Sequence, residues 1–367
     1  MMVAMQKLFH DSGAPMPRNA LDYVTIKGFK SIATVEKLPL RSINVVIGPN
    51  GSGKSNFVGA FSFLHAIHEG RLREYVTAAG GAEKVLHFGS KTTKEMLLEL
   101  SFANGHYQLR LRPTAYDELY LHETVKEEGG RGTDMSNWDV RDFDQIVNDL
   151  LGNGRVYHLH DTSSSSPMRK TAAVDDNRLL RADGSNLAAF LYLLQMMHAD
   201  FYSLIQRTVQ RVAPFFDDFQ LERLNLKPDN IKLEWRHKNS DQYFDASSLS
   251  DGTLRFIALA TLFLQPEKYR PSLILVDEPE LGLHPYAIEV LASLIKQAAV
   301  DTQVIVSTQS SLLLDHFEPE DVLVADRVDG GTQLTRLDSA RLAEWLEEYS
   351  LGQLWEKNEL GGRPVPN

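Results

Sequence analysis

The alternation in YVTIKGF, Tyr23 to Phe29, predicts a strand with one face buried, and the run Ile43 to Ile47, apolar except at Asn44, predicts one buried on both faces. A glycine-rich turn follows, and then Phe57, Phe61, Leu64 and Ile67 recur at helical spacing. Strand, glycine loop and helix open a βαβ-type unit. From about Lys94 the character changes. Met96 to Arg112 and Leu119 to Val125 read as strands of an antiparallel meander. Residues 127–187 are polar and broken, with GGRGTD, a serine run at Ser163 to Ser166 and RKTAAVDDN, and predict loops, in part disordered. Asn186 to Val212 predicts a helix, and Ile231 to Trp235 a return to strand.

Regular alternation resumes near Ser250. Leu273 to Val276, Val304 to Val306, Asp321 to Ala325 and Gln333 to Leu337 predict strands. Ala287 to Ala299 predicts a helix with Pro285 near its start, where a missing N–H costs nothing. Residues 339–359 read as helical and acidic on one face. The expected organisation is a loose tail (1–21), a first core segment (22–92), an inserted lobe of strands, loops and helices (93–244), and a second core segment (245–367).

Composition narrows the class. The 367 residues are 43% hydrophobic and 24% charged, which is ordinary for a globular protein. No apolar run, Phe256 to Leu264 with its single Thr261 included, approaches the roughly 20 residues that span a bilayer, so no membrane partner is expected. The first twenty residues lack the basic and apolar regions of a signal peptide. The absence of cysteine excludes disulfides, thiolate zinc sites and cysteine nucleophiles, and fits a cytoplasmic location. A net charge of −11 argues against a surface coated with nucleic-acid-binding charge, while leaving room for a local basic groove.

Gly48-Pro49-Asn50-Gly51-Ser52-Gly53-Lys54-Ser55 fits G-x-x-x-x-G-K-[ST]. Its glycines let backbone N–H groups face phosphate oxygens at the positive end of the following helix. Lys54 is placed to reach the β- and γ-phosphates and Ser55 to ligate Mg²⁺. The strand LILV ends in Asp277 and Glu278. Carboxylates at the end of a core strand face the phosphate site in such sheets. Asp277 is expected to hold Mg²⁺ through water, and Glu278 to orient and deprotonate the attacking water. Leu249-Ser250-Asp251-Gly252-Thr253 reads as a helix start with Ser250 or Asp251 as N-cap, and a capped helix N-terminus is also an anion site.

GPNGSGKS, LSDGT, LILVDEPELGLHP and VIVSTQS, in that order, resemble the ABC-type ATPase superfamily. The opening IKGFKSI, the run INVVIGPNGSGKSN and the ending EEYSLGQLWEKNELGGRP are similar to its SMC/RecF-like branch and to soluble AAA-type ATPases related to OLD (overcoming lysogenisation defect) proteins. The resemblance covers about residues 22–92 and 245–362 and implies an α/β fold: a P-loop NTPase core of ABC-ATPase head type with an inserted mixed lobe. It implies ATP and Mg²⁺ as cofactors, with Asn50, Gly51, Ser52, Gly53, Lys54, Ser55, Asn56 and Lys30 around the nucleotide. It also implies a homodimer paired head-to-tail, or a higher assembly, in which Ser250 and Gly252 of one subunit meet the γ-phosphate held by the other. Asp251 stands where many relatives have glycine, and must then point away from phosphate. Glu280 to His284 resembles the loop that crosses the interface.

Two positions depart from the pattern. Gln309 replaces the usual switch histidine; it can hydrogen-bond the γ-phosphate or the attacking water but carries no charge, which implies slower hydrolysis. Its other reading is a helix cap after Thr308. Residues 77–107 contain no glutamine to sense the γ-phosphate from the lobe. His158 and His160 alternate on an expected strand, but a metal pair lacks a third ligand at matching spacing. Arg110, Arg112, Arg169, Lys170, Arg178 and Arg181 read either as a nucleic-acid groove or as solvated surface.

Nothing resembling the TOPRIM domain of OLD proteins follows residue 362. The leading expectation is therefore an ATP-gated dimeric switch controlling a separately encoded nuclease or toxin-like effector, in bacterial defence against phage or foreign DNA. The alternatives are a RecF-like DNA-binding repair ATPase, with DNA as partner, and a slow-hydrolysing nucleotide-dependent scaffold.

Overall fold

The computed structural model describes residues 16–17, 20–103, 105–128, 147–148, 150–152 and 154–361. Strands β1 (Leu21–Phe29) and β2 (Ile32–Pro39) form a hairpin, with β2 a strand that the hydrophobic pattern alone does not announce. β3 (Ile43–Ile47) is buried at every position, as its composition predicts. The helix Lys54–His68 follows and buries Phe57, Phe61 and Leu64.

The expected meander is present as β4 (Met96–Phe102), β5 (Gly105–Pro113) and β6 (Leu119–Glu128). β4 pairs antiparallel with β1, giving one sheet of order β2-β1-β4-β5-β6. Backbone hydrogen bonding thus runs across the expected boundary at residues 92 and 93. The expected GGRGTD loop and almost all of the tail lie outside the described residues.

β7 (Arg155–Tyr157) comes next, and two three-stranded sheets follow it. β8 (Ala172–Ala173), β10 (Arg223–Leu224) and β11 (Lys227–Ile231) form one, in the order β10-β11-β8. β9 (Phe216–Gln220), β12 (Glu234–His237) and β13 (Tyr243–Asp245) form the other, in the order β13-β12-β9. The single strand expected over Ile231 to Trp235 is in fact the junction of β11 and β12. The chain leaves one sheet at Lys232 and Leu233, where Leu233 accepts the Ala246 N–H, and enters the other.

The helix expected over Asn186 to Val212 is two helices, Leu187–Met197 and Ala199–Val212. They divide at His198, whose φ of −144° is not helical and whose ring packs edge-on against Tyr269. The second helix packs on Asp251–Leu264, which in turn packs on Pro285–Ala298. The C-terminal helical stretch is also divided, into Ser339–Leu346 and Leu351–Glu356. Ser350 and Gln353 form a reciprocal capping box that starts the last helix.

β14 (Leu273–Asp277), β15 (Gln303–Ser307), β16 (Val322–Val328) and β17 (Gly331–Arg336) complete the central sheet, in the order β17-β16-β3-β15-β14-β7. All its neighbours pair parallel except β16 and β17, which form a hairpin. Its side chains divide between two cores. Val45, Ile47, Val276 and Val306 pack with the helices of residues 187–298. Val46, Leu275, Ile305 and Leu323 pack with Phe57, Phe61 and the β1–β4–β5 face. Burial on both faces explains why these strands read as continuous apolar runs. The carboxyl ends of β3, β14 and β15 thereby converge at the phosphate loop.

Candidate active site

The loop after β3 is shaped by steric exclusion. Gly53 has φ of +106°, and a Cβ there would lie 1.9 Å from Thr332 Oγ1. A Cβ on Gly48 would lie 2.3 Å from the Ala325 carbonyl oxygen. At Gly51 a Cβ would meet nothing within 4 Å, so this side of the loop is open. Thr332 pins the loop from β17. Its hydroxyl donates to the Ser52 carbonyl at 2.8 Å and accepts from the Ser31 hydroxyl at 2.7 Å, while Asn56 donates to Ser31. Thr332 lies 280 residues from Ser52 in the chain, and no local pattern marks it.

Lys54 is nearly buried and bends back over the loop, donating to the carbonyls of Gly48 (2.7 Å) and Pro49 (3.0 Å). Burial lowers its pKa, while Glu278, Asp277 and Glu280 oppose that shift. Ser55 Oγ is 3.4 Å from Asp277 Oδ2. The other oxygen of Asp277 is buried with no hydrogen-bond partner, and so are the hydroxyls of Ser52 and Ser307. Buried polar atoms are rarely left unpaired. A hydrated Mg²⁺ held by Ser55 and Asp277 would satisfy the carboxylate, and phosphate oxygens would give Lys54 a stronger partner than the loop's own carbonyls. The residues present therefore fit ATP and Mg²⁺.

Glu278 sits just past β14 with φ of +44°, unusual for a residue with a Cβ. Its N–H donates to the Ser307 carbonyl at 2.8 Å, which holds the turn against β15. The Gln309 carboxamide donates to the Glu278 carboxylate. The cap of the helix Ser311–Leu314 is Ser310, so Gln309 is not the cap and is aimed at Glu278 instead. Glu280 accepts from the Thr308 hydroxyl (2.6 Å) and the Gln309 N–H (3.3 Å), and burial raises its pKa.

Ser250 caps the helix Asp251–Leu264, its Oγ accepting the Thr253 N–H at 3.2 Å, and remains exposed. A Cβ on Gly252 would lie 2.4 Å from the Gly282 carbonyl oxygen, so this glycine permits close approach of the 280–284 loop. Asp251 is drawn sideways onto Arg169 at 2.9 Å. Lys30 Nζ lies over the rings of Phe29 (5.4 Å) and Tyr75 (5.9 Å), and burial lowers its pKa.

The six basic residues considered for a groove are largely engaged elsewhere. Arg110 and Arg112 pair with Glu95, Arg169 with Asp251 and Arg181 with Asp176. His158 and His160 lie just beyond β7 with ring centroids 5.5 Å apart, and no three-residue metal cluster exists among the described residues. No helix among them is long and apolar enough to cross a membrane.

The model of the family described as "AAA domain, putative AbiEii toxin, Type IV TA system" matches residues 43–315. The chain is 23% identical to the Old nuclease of Escherichia phage P2 over 376 aligned positions, covering 89% of this chain and 62% of that protein. It is 28% identical over 139 residues to the chromosome partition protein Smc of Coxiella burnetii, covering 36% of this chain and 11% of that protein. The chain thus spans less than two thirds of these curated relatives. Among solved structures, an Smc head bound to the C-winged helix domain of ScpA superposes with a TM-score of 0.59 at 18% identity, over 88% of this chain and 99% of that one. The Pyrococcus furiosus Smc head with an extended coiled coil gives 0.58 at 16%, over 89% and 98%. The fold is accordingly that of the Smc head, as the motif order implies.

Proposed function

Because the chain belongs to this AAA-domain family of ABC/SMC-like ATPases related to OLD proteins, we propose that it binds and hydrolyses Mg–ATP as a dimeric switch. The observation that carries the reading is the grouping of Lys54, Ser55, Asp277, Glu278 and Gln309 at the phosphate loop, with the second Asp277 oxygen left for a metal. In this reading the loop N–H groups and Lys54 hold the phosphates, and Ser55 and Asp277 would hold Mg²⁺, which would neutralise negative charge on the terminal phosphate and so ease attack on it. Glu278 takes the proton of the attacking water and Gln309 holds the Glu278 carboxylate in place.

Ser250, exposed at a helix N-terminus, then completes the site of a second copy. The Arg169 pairing of Asp251 supports that role, because it diverts the only carboxylate of the LSDGT segment from an incoming phosphate. The output is control of a separately encoded effector in defence against phage or foreign DNA. Support for this last step comes from the toxin system in the family description and from the Old nuclease relative.

The test is Glu278→Gln. It should bind ATP like the wild type, lose about 10²–10⁴ of phosphate release, the usual contribution of a general base, and accumulate as dimer with Mg–ATP. Unchanged turnover would remove Glu278 from catalysis.

A further inference from the structure

Arg327 is an exposed cation beside the phosphate loop, and the mechanism above gives it no part. β16 runs parallel to β3 with Val324 beside Ile47, so the continuation of β16 lies next to the loop that follows β3. From there the Arg327 side chain reaches the apex of the loop, where Nη1 lies 3.5 Å from the Gly51 carbonyl oxygen. That is the outer limit of a hydrogen bond. Among the described residues no carboxylate lies within ion-pair distance of this guanidinium. Arginine presents five donors in a planar fork that matches a carboxylate, so one long contact leaves most of its capacity unused. The apex is also open, since a Cβ on Gly51 would meet nothing within 4 Å.

Asp251 offers the opposite charge on the other half of the composite site. It follows Ser250 directly, and its side chain is 67% exposed. Arg169 donates to Oδ1 at 2.9 Å, and among the described residues Oδ2 accepts no hydrogen bond. The backbone that carries it is firmly held. Arg169 also donates to the carbonyls of Thr162 (3.0 Å), Leu249 (3.2 Å) and Ala246. Arg255, buried one turn into the same helix, donates to those of Leu159 (3.1 Å) and His160 (2.7 Å). A carboxylate fixed before contact loses less freedom on pairing than a free one does.

Resting on the composite-site reading above, we propose that Arg327 of each copy forms an ion pair with the partner's Asp251 when ATP closes the dimer. Ser250 meets the phosphates that the other copy's loop holds. Its neighbour Asp251 therefore arrives within a side chain's length of the guanidinium at that loop's apex. Two-fold symmetry makes the contact twice. The pair accounts for a carboxylate at a position that faces a triphosphate, because Arg169 on one side and the partner's Arg327 on the other both draw it away from the phosphates. It also offsets, at the contact itself, the mutual repulsion of two chains that each carry −11, and it rewards the one register in which both pairs form.

Charge exchange tests the contact by light-scattering mass with Mg–ATP. Arg327→Glu sets a carboxylate against the partner's Asp251, and Asp251→Lys sets an ammonium against the partner's Arg327. Each variant alone should lose at least about a hundredfold in ATP-dependent pairing, as like charges across an interface do. Mixed in equal amounts before ATP is added, the two chains bring opposite charges together at both contacts. The mixture should pair to within about tenfold of wild type. Asp251→Lys also sets a cation beside Arg169, so a milder cycle with Arg327→Gln and Asp251→Asn accompanies the exchange. Each neutral variant should lose about tenfold and the double variant little more, whereas independent residues would lose about a hundredfold together. All four single variants should bind a fluorescent ATP analogue as monomers within about threefold of wild type. Additive losses in the neutral cycle would overturn the inference, as would a mixture that stays monomeric while both chains keep the wild-type thermal midpoint. A hundredfold weaker analogue affinity in Arg327→Gln would overturn it too, by placing the guanidinium on its own subunit's nucleotide. A wild type that stays monomeric with Mg–ATP would overturn the composite-site reading and this inference with it.

Discussion

Lys54 lies almost wholly buried and hydrogen-bonded to its own loop, so its removal touches packing as well as charge. Lys54→Met keeps the stem and deletes the ammonium. We expect that variant to fold, with a thermal midpoint near wild type, and to lose ATP binding by calorimetry at least about a hundredfold, as for a charged hydrogen bond of up to about 3 kcal/mol. Glu280 makes a second residue-level prediction. Burial holds its folded-state pKa above the ordinary value of 4.5. The folded protein then binds this proton more tightly than the unfolded chain does. The contribution is fully present below the unfolded value and is lost as pH rises through the elevated folded one. Glu280→Gln keeps the oxygen that accepts from Thr308 and Gln309. It should be more stable than wild type at neutral pH, by a margin that shrinks as pH falls toward 4.5. A margin independent of pH in thermal melts would contradict this. At this scale the contiguous motif residues were legible in the sequence. Thr332, Arg169 and Arg255 were not, because their partners are distant in the chain and their roles depend on which strand lies beside which.

At the scale of elements, legibility followed burial. β3, β14 and β15 are apolar except at Asn44, Asp277, Gln303 and Ser307, and the pattern located them to within a residue or two. The elements that were misread are decided by tertiary contacts: His198 interrupts an otherwise helical pattern, and Lys232 and Leu233 join strands of two different sheets. The phosphate-loop turn is the most constrained of these elements. Gly53→Ala must place a Cβ against Thr332 Oγ1 at a positive φ, so we expect a loss of at least about 1–2 kcal/mol in denaturant unfolding. Removing only the Thr332 side chain, as Thr332→Ala, in the same background should recover part of that loss. Full additivity of the two substitutions would mean that the contact does not restrict the loop.

For the whole molecule, the central sheet draws β3, β7 and β14 to β17 from both ends and the middle of the sequence, and the antiparallel sheet joins β1 and β2 to β4, β5 and β6. The inserted lobe that the sequence suggests is therefore continuous with the core through strand pairing and helix packing. Composition could not reveal it, because register and sheet order are set only when the chain closes on itself. The central claim, that ATP gates pairing through Ser250, is tested most directly by the mass of Ser250→Asp in solution with and without Mg–ATP. Aspartate caps a helix about as well as serine, so the monomer should remain stable and bind nucleotide. In a composite site the new carboxylate would face the partner's γ-phosphate, where like charges a few ångströms apart repel by roughly several kcal/mol. The account predicts a monomer at every ATP concentration that pairs the wild type. A Ser250→Asp protein that pairs with Mg–ATP as the wild type does would contradict it.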